Sequence, residues 1–441
     1  MSNVELGLWS FPVLLVLIFL RMPIGLSMLI VGVVGNYLIT KSWNPSFALF
    51  KSLTFSTFSS YSFAVVPLFL LMGQFAAMSG VSRSLFDAAV SWLGHRKGGV
   101  AMAAIGACTA FGAICGSSLA TAATMGQIAL PELKRHGYSG ALATGTLAAG
   151  GTIGILVPPS WILIIYAILT EQNIAKLFVA AIIPGILAAV GYCVTIAIVA
   201  RINPESAGSA YPRVPYRDRF RQLAKIWPAP LIFLLVIGGI YTGVFTPTEA
   251  AAIGAVGTFL IAAFNRTLSW PAFRTAMLNM ATGTGMIFMI ILGAAALNNF
   301  LALSQLPQIA SAFVTEQGFN PWLVMALILI MYLILGGPMD SLSMILLTIP
   351  VIYPVTLALD FGLSHEEFSI WFGVLTLIVV EVGLISPPVG MNLFVINSMS
   401  KGTTIGQTFL GVTPFLISDL VRTLVLVAFP SISLFLVRWM F

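Results

Sequence analysis

The chain has 441 residues, of which 59% are hydrophobic and only 8% charged, with a mean hydropathy of +1.02. A soluble domain carries about a quarter charged residues, so a water-solvated globule is excluded. The net charge of +6 does not mark a nucleic-acid binder, because six of the twenty Lys and Arg gather in one short segment: Arg201, Arg213, Arg217, Arg219, Arg221 and Lys225.

Apolar runs of bilayer length recur from end to end, and the short alternating segments of a β-barrel are missing. The expected fold class is an all-α polytopic membrane protein. In chain order, 6–20 and 24–39 read as spans split by Arg21-Met22-Pro23, and 61–78 is a third. Residues 81–93 are weakly amphipathic, with Arg83, Asp87 and Trp92, and are expected at the membrane interface. A long segment at 98–131 is rich in small residues and interrupted near Cys115-Gly116-Ser117-Ser118. Another, 140–169, contains Pro158-Pro159, and 174–200 is a plain span.

The polar segment 201–225 also holds Pro204, Pro212 and Pro215. The excess of Lys and Arg makes it a cytoplasmic loop by the positive-inside rule; a lipid-headgroup patch is the competing reading. The second half follows a similar plan. Spans are expected at 226–245, 248–264 and 282–303. Residues 321–359 are interrupted near Gly336-Gly337-Pro338-Met339-Asp340-Ser341, 367–398 carry Pro387-Pro388, and 409–436 close the chain.

The two halves therefore look like copies. Gly154-Ile155-Leu156-Val157-Pro158-Pro159 and Gly383-Leu384-Ile385-Ser386-Pro387-Pro388 share one pattern: Gly, two aliphatics, any residue, Pro-Pro. Ser118 to Pro131 is 13 residues, as is Ser341 to Pro354. Ser118 to Pro158 is 40 residues and Ser341 to Pro387 is 46, so six extra residues follow the second proline, with the polar stretch 360–367 as their place.

A Pro-Pro pair cannot continue a helix, because neither residue donates an N–H and the residue before each is pushed out of the α region. Broken backbone at membrane depth survives only where protein buries it or where it lines a wet cavity. Paired broken segments point to a transporter's binding site. Freed carbonyls suit Na⁺, and freed N–H groups at a helix N-terminus suit a carboxylate. No Lys or Arg occurs between Lys97 and Lys134, between Arg135 and Lys176, or between Arg274 and Lys401. An anion at the breaks would meet helix dipoles, hydroxyls and bound cations, which favours cation-coupled symport over a pore ringed by fixed charge.

Among the intramembrane acids, Asp340 at the second interruption reads as functional, with a helix cap as the alternative. Glu381 is either support for the site or an interhelical tie. Asp419 and Arg422, three apart on the last span, are expected to neutralise each other. Asn392 and Asn397 would orient substrate or bond across helices. Cys108, Cys115 and Cys193 lack metal spacing and a disulfide framework. No basic region precedes the first apolar run, so a retained span is expected rather than a cleaved signal. Neither H-E-x-x-H, G-x-S-x-G nor a nucleotide-binding G-x-x-x-x-G-K-[ST] is present. An enzyme is therefore not expected, and a membrane-embedded enzyme acting on an amphiphile is the remote alternative.

Several stretches resemble a known family: Val66-Pro67-Leu68-Phe69-Leu70-Leu71-Met72-Gly73, Gly116-Ser117-Ser118-Leu119-Ala120, Gly154 to Ser160, and Gly383 to Asn392. Together they are similar to the large membrane subunit of tripartite ATP-independent periplasmic (TRAP) transporters, nearly end to end and in the family's order. The wider set of Na⁺-coupled anion transporters built from paired hairpins is the near alternative, as a self-sufficient symporter.

The resemblance implies an elevator-type protein in the bacterial inner membrane, with two pseudo-symmetric repeats moving against a scaffold. It implies scaffold helices at 1–60, a first repeat at 61–200, the basic loop at 201–225, scaffold at 226–274, a second repeat at 275–400 and one C-terminal helix at 401–441. It implies import of a small organic acid such as a dicarboxylate or sugar acid, driven by Na⁺, at least two ions per cycle. No covalent cofactor is implied. The partners would be a small four-helix membrane subunit, here a separate polypeptide, and a periplasmic solute-binding protein. Carried over by motif, the first Na⁺ site would lie around Cys115, Ser118, Gly154, Val157 and Pro159, and the second around Gly337, Gly383, Ser386 and Val389. Serine is frequent at position 115 in relatives, so a carbonyl rather than a side-chain role is implied for Cys115. Substrate would lie near Ser117, Pro158, Asp340, Pro387 and Asn392.

Overall fold

A computed structural model describes residues 1–337 and 339–441; Pro338, inside the second interruption, lies outside them. The described residues are helical apart from turns and one isolated bridge, Tyr138 with Ala207. The N-terminal part comprises α1 (Asn3–Phe19), α2 (Ile24–Thr40), α3 (Asn44–Ser59), α4 (Val65–Met78) and α5 (Val81–Leu93). The first broken unit is α6 (Gly99–Cys115), α7 (Ser118–Arg135), α8 (Gly140–Leu156) and α9 (Trp161–Thr170), followed by the long α10 (Ile174–Ile202). After α11 (Tyr216–Lys225), α12 (Pro228–Phe233) passes through a π-helical turn, Leu234–Gly238, into α13 (Gly239–Tyr241). Then come α14 (Pro247–Phe264), α15 (Trp270–Ser304) and α16 (Leu306–Glu316). The second broken unit is α17 (Pro321–Leu335), α18 (Ser341–Leu357), α19 (His365–Gly383) and α20 (Met391–Met399); α21 (Ile405–Ala428) and α22 (Ser431–Met440) finish the chain.

Among the described residues, five helices are individually long and apolar enough to cross a membrane: the stretch Tyr61–Met78, α10, α14, α15 and α21. Two bent pairs pass the same test together, α8 with α9 at 45° and α11 with the stretch Pro228–Tyr241 at 43°. The 45° bend falls at the first Pro-Pro, as the missing N–H groups require.

The core belongs to the two equivalent helices that lead into the Pro-Pro breaks. Every residue of α8 from Leu142 to Leu156 is buried, and so is every residue of α19 from Phe368 to Gly383. A helix that is apolar all round belongs in a core. The halves interlock around them: α9 packs on α18 and α19, while α20 packs on α7 and α8. Tyr166 in α9 fixes one crossing, donating its hydroxyl to the Ser369 carbonyl at 2.7 Å. Outside this core, α2 lies along α15. A Cβ at Gly32 would stand 2.5 Å from the Ala296 carbonyl carbon, so glycine there sets the closeness of the two backbones.

Several expectations are corrected. Residues 44–59 and 306–316 form helices that periodicity did not reveal, both opening with a proline in the first turn. The span expected at 282–303 begins at Trp270, where Ser269 caps it. The basic segment is not a plain loop, since it ends in α11. The single helix expected at 401–441 is two, because Pro430 cannot donate the N–H that would join α21 to α22. Residues 81–93 do not simply rest at an interface. Helix α5 packs against α6 and buries Val81, Leu85, Phe86, Ala88 and Val90, an i, i+4 stripe that periodicity alone leaves without a partner.

Candidate functional site

Each broken unit closes through a pair of glycines. A Cβ on Gly112 of α6 would lie 2.3 Å from the Gly154 Cα of α8. A Cβ on Gly336, at the end of α17, would lie 2.6 Å from the Gly383 Cα of α19. Backbone therefore meets backbone at corresponding points, and each interruption is carried onto its own Pro-Pro break. At the first tip, Gly116 has φ +63°, and a Cβ there would stand 2.6 Å from the Pro159 carbonyl oxygen. At the second, Gly337 comes close to Val389, whose Cγ2 would lie 4.0 Å from an added Cβ.

The breaks release backbone carbonyls by rule. The helical partners of Gly154 and Ile155 would be the N–H groups of Pro158 and Pro159, which do not exist. Neither carbonyl receives a hydrogen bond outside α8 among the described residues. In the second unit the equivalent carbonyls find donors. Gly383 accepts from the Ser386 N–H at 3.3 Å and its hydroxyl at 3.1 Å, and Leu384 accepts from the Asn392 N–H at 3.1 Å.

The helices that restart after the tips present their N-termini inward. Ser117 caps α7, accepting weakly from the Ala120 N–H at 3.4 Å. Asp340 caps α18 and accepts from the Leu342 and Ser343 N–H groups at 3.1 and 3.2 Å, and from the Ser343 hydroxyl. Of the two roles weighed for Asp340, the carboxylate thus serves as the helix cap.

Between the tips lies Glu381, 2% exposed. It accepts from the Ser341 hydroxyl at 2.7 Å, and the Ser118 side chain also sits against the carboxylate. Ser118 and Ser341 are the first residues of α7 and α18. The carboxylate from α19 thus bonds the second tip through Ser341 and lies beside Ser118 of the first, while its Oε2 finds no hydrogen-bond donor among the described residues. A buried ionised carboxylate is costly unless a cation or proton compensates it. The corresponding residue of α8, six before its Pro-Pro, is Thr152. It leads elsewhere: its hydroxyl lies 3.2 Å from the Tyr192 hydroxyl, which donates to Asp419 at 2.6 Å, and Asp419 pairs with Arg422 at 2.9 Å. Asp419 and Arg422 thus neutralise each other as expected.

Residues 11–432 match the family described as the tripartite ATP-independent periplasmic transporter, DctM component. The chain belongs to this family. It is a multi-pass TRAP transporter permease, not an enzyme. Over 387 residues it is 37% identical to the C4-dicarboxylate TRAP transporter large permease protein DctM of Pseudomonas aeruginosa, which covers 88% of each chain. Over 429 residues it is 32% identical to the sialic acid TRAP transporter permease protein SiaT of Haemophilus influenzae, covering 96% of this chain and 66% of that one. Its fold matches the solved YdaH transporter of Alcanivorax borkumensis with a TM-score of 0.60, over 97% of this chain and 98% of that one, at 16% identity.

Of the first expected ion set, Cys115 and Ser118 flank the first tip, the Pro159 carbonyl meets it at Gly116, Gly154 stands against Gly112, and Val157 lies against Gly185 of α10. Gly73 of α4 leaves room for Cys115, whose carbonyl and Sγ would lie 3.2 and 3.1 Å from an added Cβ. Gly337, Gly383, Ser386 and Val389 surround the second. Among the described residues no group of three or more His, Cys, Asp and Glu is placed to hold a metal ion, so main-chain and hydroxyl oxygens are the donors on offer.

The five residues expected around substrate are divided. Ser117 and Asp340 are the helix caps just described. Asn392 is fully buried, donates to the Ala148 carbonyl at 3.4 Å, and leaves Oδ1 without a partner. Pro158 is buried, whereas Pro387 is exposed and lines an apolar crevice of about 560 Å³ with Leu15, Phe19, Ile334 and Leu420. Thr121 was not singled out from sequence. Its Oγ1 lies 2.3 Å from where a Gly154 Cβ would be, and it has no hydrogen-bond partner. Its position three residues after Ser118, on the same face of α7, is the signal that could have found it.

Proposed function

We propose that this permease imports a small organic acid in symport with Na⁺ across the bacterial inner membrane, receiving it from a periplasmic solute-binding protein and working with a small four-helix membrane subunit. The observation that carries this reading is the first break, where Pro158 and Pro159 leave the Gly154 and Ile155 carbonyls without donors and the Pro159 carbonyl stands beside the tip at Gly116. Unbonded carbonyl oxygens within protein suit a hard monovalent cation. The second break would hold a second Na⁺ once Ser386 releases the Gly383 carbonyl. Glu381, bonded to Ser341 and beside Ser118, would sense both sites, with the cations favouring its ionised form.

The cargo carboxylate would approach the N-terminus of α7, whose cap Ser117 is neutral, and the amide of Asn392. A C4-dicarboxylate is the favoured cargo, because the relative named for it shares more identity with this chain than the one named for sialic acid; both are carboxylic acids. The two units, joined through Glu381, would move as one body against α2, α14 and α15 in an elevator cycle.

Uptake into proteoliposomes tests this. With the small subunit, the loaded binding protein and an inward Na⁺ gradient, succinate should accumulate with a Hill coefficient for Na⁺ above one. Equal uptake in choline and sodium would reject the coupling. Robust Na⁺-driven uptake without a binding protein would reassign the chain to self-sufficient anion symporters.

A further inference from the structure

The segment between the two broken units has a feature that transport does not use. On α11, Tyr216, Phe220 and Leu223 follow one another at helical spacing and Trp227 continues the line just beyond its end; all four are exposed. Such an apolar stripe on an otherwise charged helix is the form of a helix lying in a membrane interface. At its far end, a cavity of about 520 Å³ opens between α5, α11 and α14, lined by Lys225, Trp227, Ile261 and Phe264.

Beside the stripe, positive charge is crowded and uncompensated. Arg219 is only 4% exposed. Its Nε donates to the Val214 carbonyl at 2.9 Å, and one terminal nitrogen finds no acceptor. The guanidinium rests 5.8 Å from the Trp92 ring centroid and 5.0 Å from that of Tyr216. The Trp92 Nε1 and His95 Nδ1 nearby are likewise buried without partners. Burial, followed by the charges of Arg219, Arg213 and Arg96, holds the His95 imidazole below its ordinary value. None of these three arginines pairs with a carboxylate among the described residues. Glu132, the acid on the adjoining α7, is engaged by Tyr211, Arg83 and Arg135.

We propose that Arg96, Arg213 and Arg219, with Trp92, form a site for the phosphate of an anionic phospholipid, whose acyl chains lie along the stripe of α11. Three cations without acids call for an anion, and the stripe supplies the reason that it is a lipid. Arg96 and Arg213 are exposed and free to close on a headgroup, while Arg219 holds the platform beneath them. The Tyr211 N–H bonds to the Gly94 carbonyl at 2.9 Å, so the bound lipid would pin the basic segment to the turn that feeds α6.

Native mass spectrometry of the purified full chain tests this with phosphatidylglycerol against phosphatidylcholine. The wild type should retain phosphatidylglycerol preferentially. Each of Arg96→Gln and Arg213→Gln, exposed changes that spare the fold, should reduce that preference about fivefold. Lys51→Gln, an exposed change elsewhere, should leave it intact. Equal retention of both lipids, or a preference that survives the double arginine variant, would overturn the proposal. Displacement of phosphatidylglycerol by millimolar inorganic phosphate would also overturn it, making the site one for a soluble anion.

Discussion

The two Pro-Pro breaks begin from the same sequence pattern and end in different physical states. Pro158 and Pro159 are buried, and the carbonyls they release on Gly154 and Ile155 stay unbonded. Pro387 and Pro388 are exposed to an apolar crevice, and the equivalent carbonyls are taken by Ser386 and Asn392. The caps differ too: a Ser117 hydroxyl before α7, an Asp340 carboxyl before α18. Repetition thus supplies two frames, and a few substitutions make them unlike. On the proposed function, the first would receive a cation on free carbonyls, while the second would exchange an internal hydrogen bond for an ion.

The comparison is most exposed at Glu381, which bonds the second tip at Ser341 and lies beside Ser118 of the first. Glu381→Gln keeps the size and the bond from Ser341 but removes the ionisable carboxyl. Na⁺-driven uptake should fall by about tenfold or more, since an amide cannot ionise to compensate a bound cation. Unchanged uptake and Na⁺ dependence in the Gln variant would mean that the tie is only structural.

A smaller effect is expected at the glycine contacts, and it should be unequal. Gly112→Ala forces a methyl against the Gly154 backbone inside the buried break, and Gly336→Ala forces one against Gly383 beside the open crevice. Overpacking costs about 1–3 kcal/mol. The first variant should lie at the upper end because its surroundings cannot relax. Thermal unfolding of the purified permease reads the difference, and equal shifts would show the second break to be as rigid as the first.

The smallest expected effect separates the caps. Ser117→Ala and Asp340→Ala should each cost about 1 kcal/mol. Asp340→Asn should recover that stability, and transport should recover with it, because both carboxylate oxygens already serve the helix terminus. A stable Asn variant that fails to transport would show that the charge acts on the cargo or its ions.

Much of this was legible in the chain. The interruption at 115–118 ends α6 at Cys115 and starts α7 at Ser118, where Gly and Ser marked a stop and a cap. Only some of the six extra residues of the second unit sit in the link from α18 to α19, which runs seven residues against four between α7 and α8; the rest lengthen the stretch from the start of α19 to its Pro-Pro. Helix α3 was missed because its serines and phenylalanines keep no sustained apolar run, and the division of α21 from α22 was hidden by apolar residues on both sides of Pro430.

Sequence by itself determined where the backbone must break, because proline lacks an N–H wherever it stands, and that the solvent is lipid, because 8% charge cannot cover a soluble surface. Only the tertiary structure decided what each break became. The burial of one Pro-Pro and the exposure of the other, the bond from Ser341 to Glu381 and the reach of Asn392 to the Ala148 carbonyl depend on how α8, α18, α19 and α20 cross. The last joins residues 244 positions apart, and no local pattern of hydropathy or spacing encodes a distance across the core.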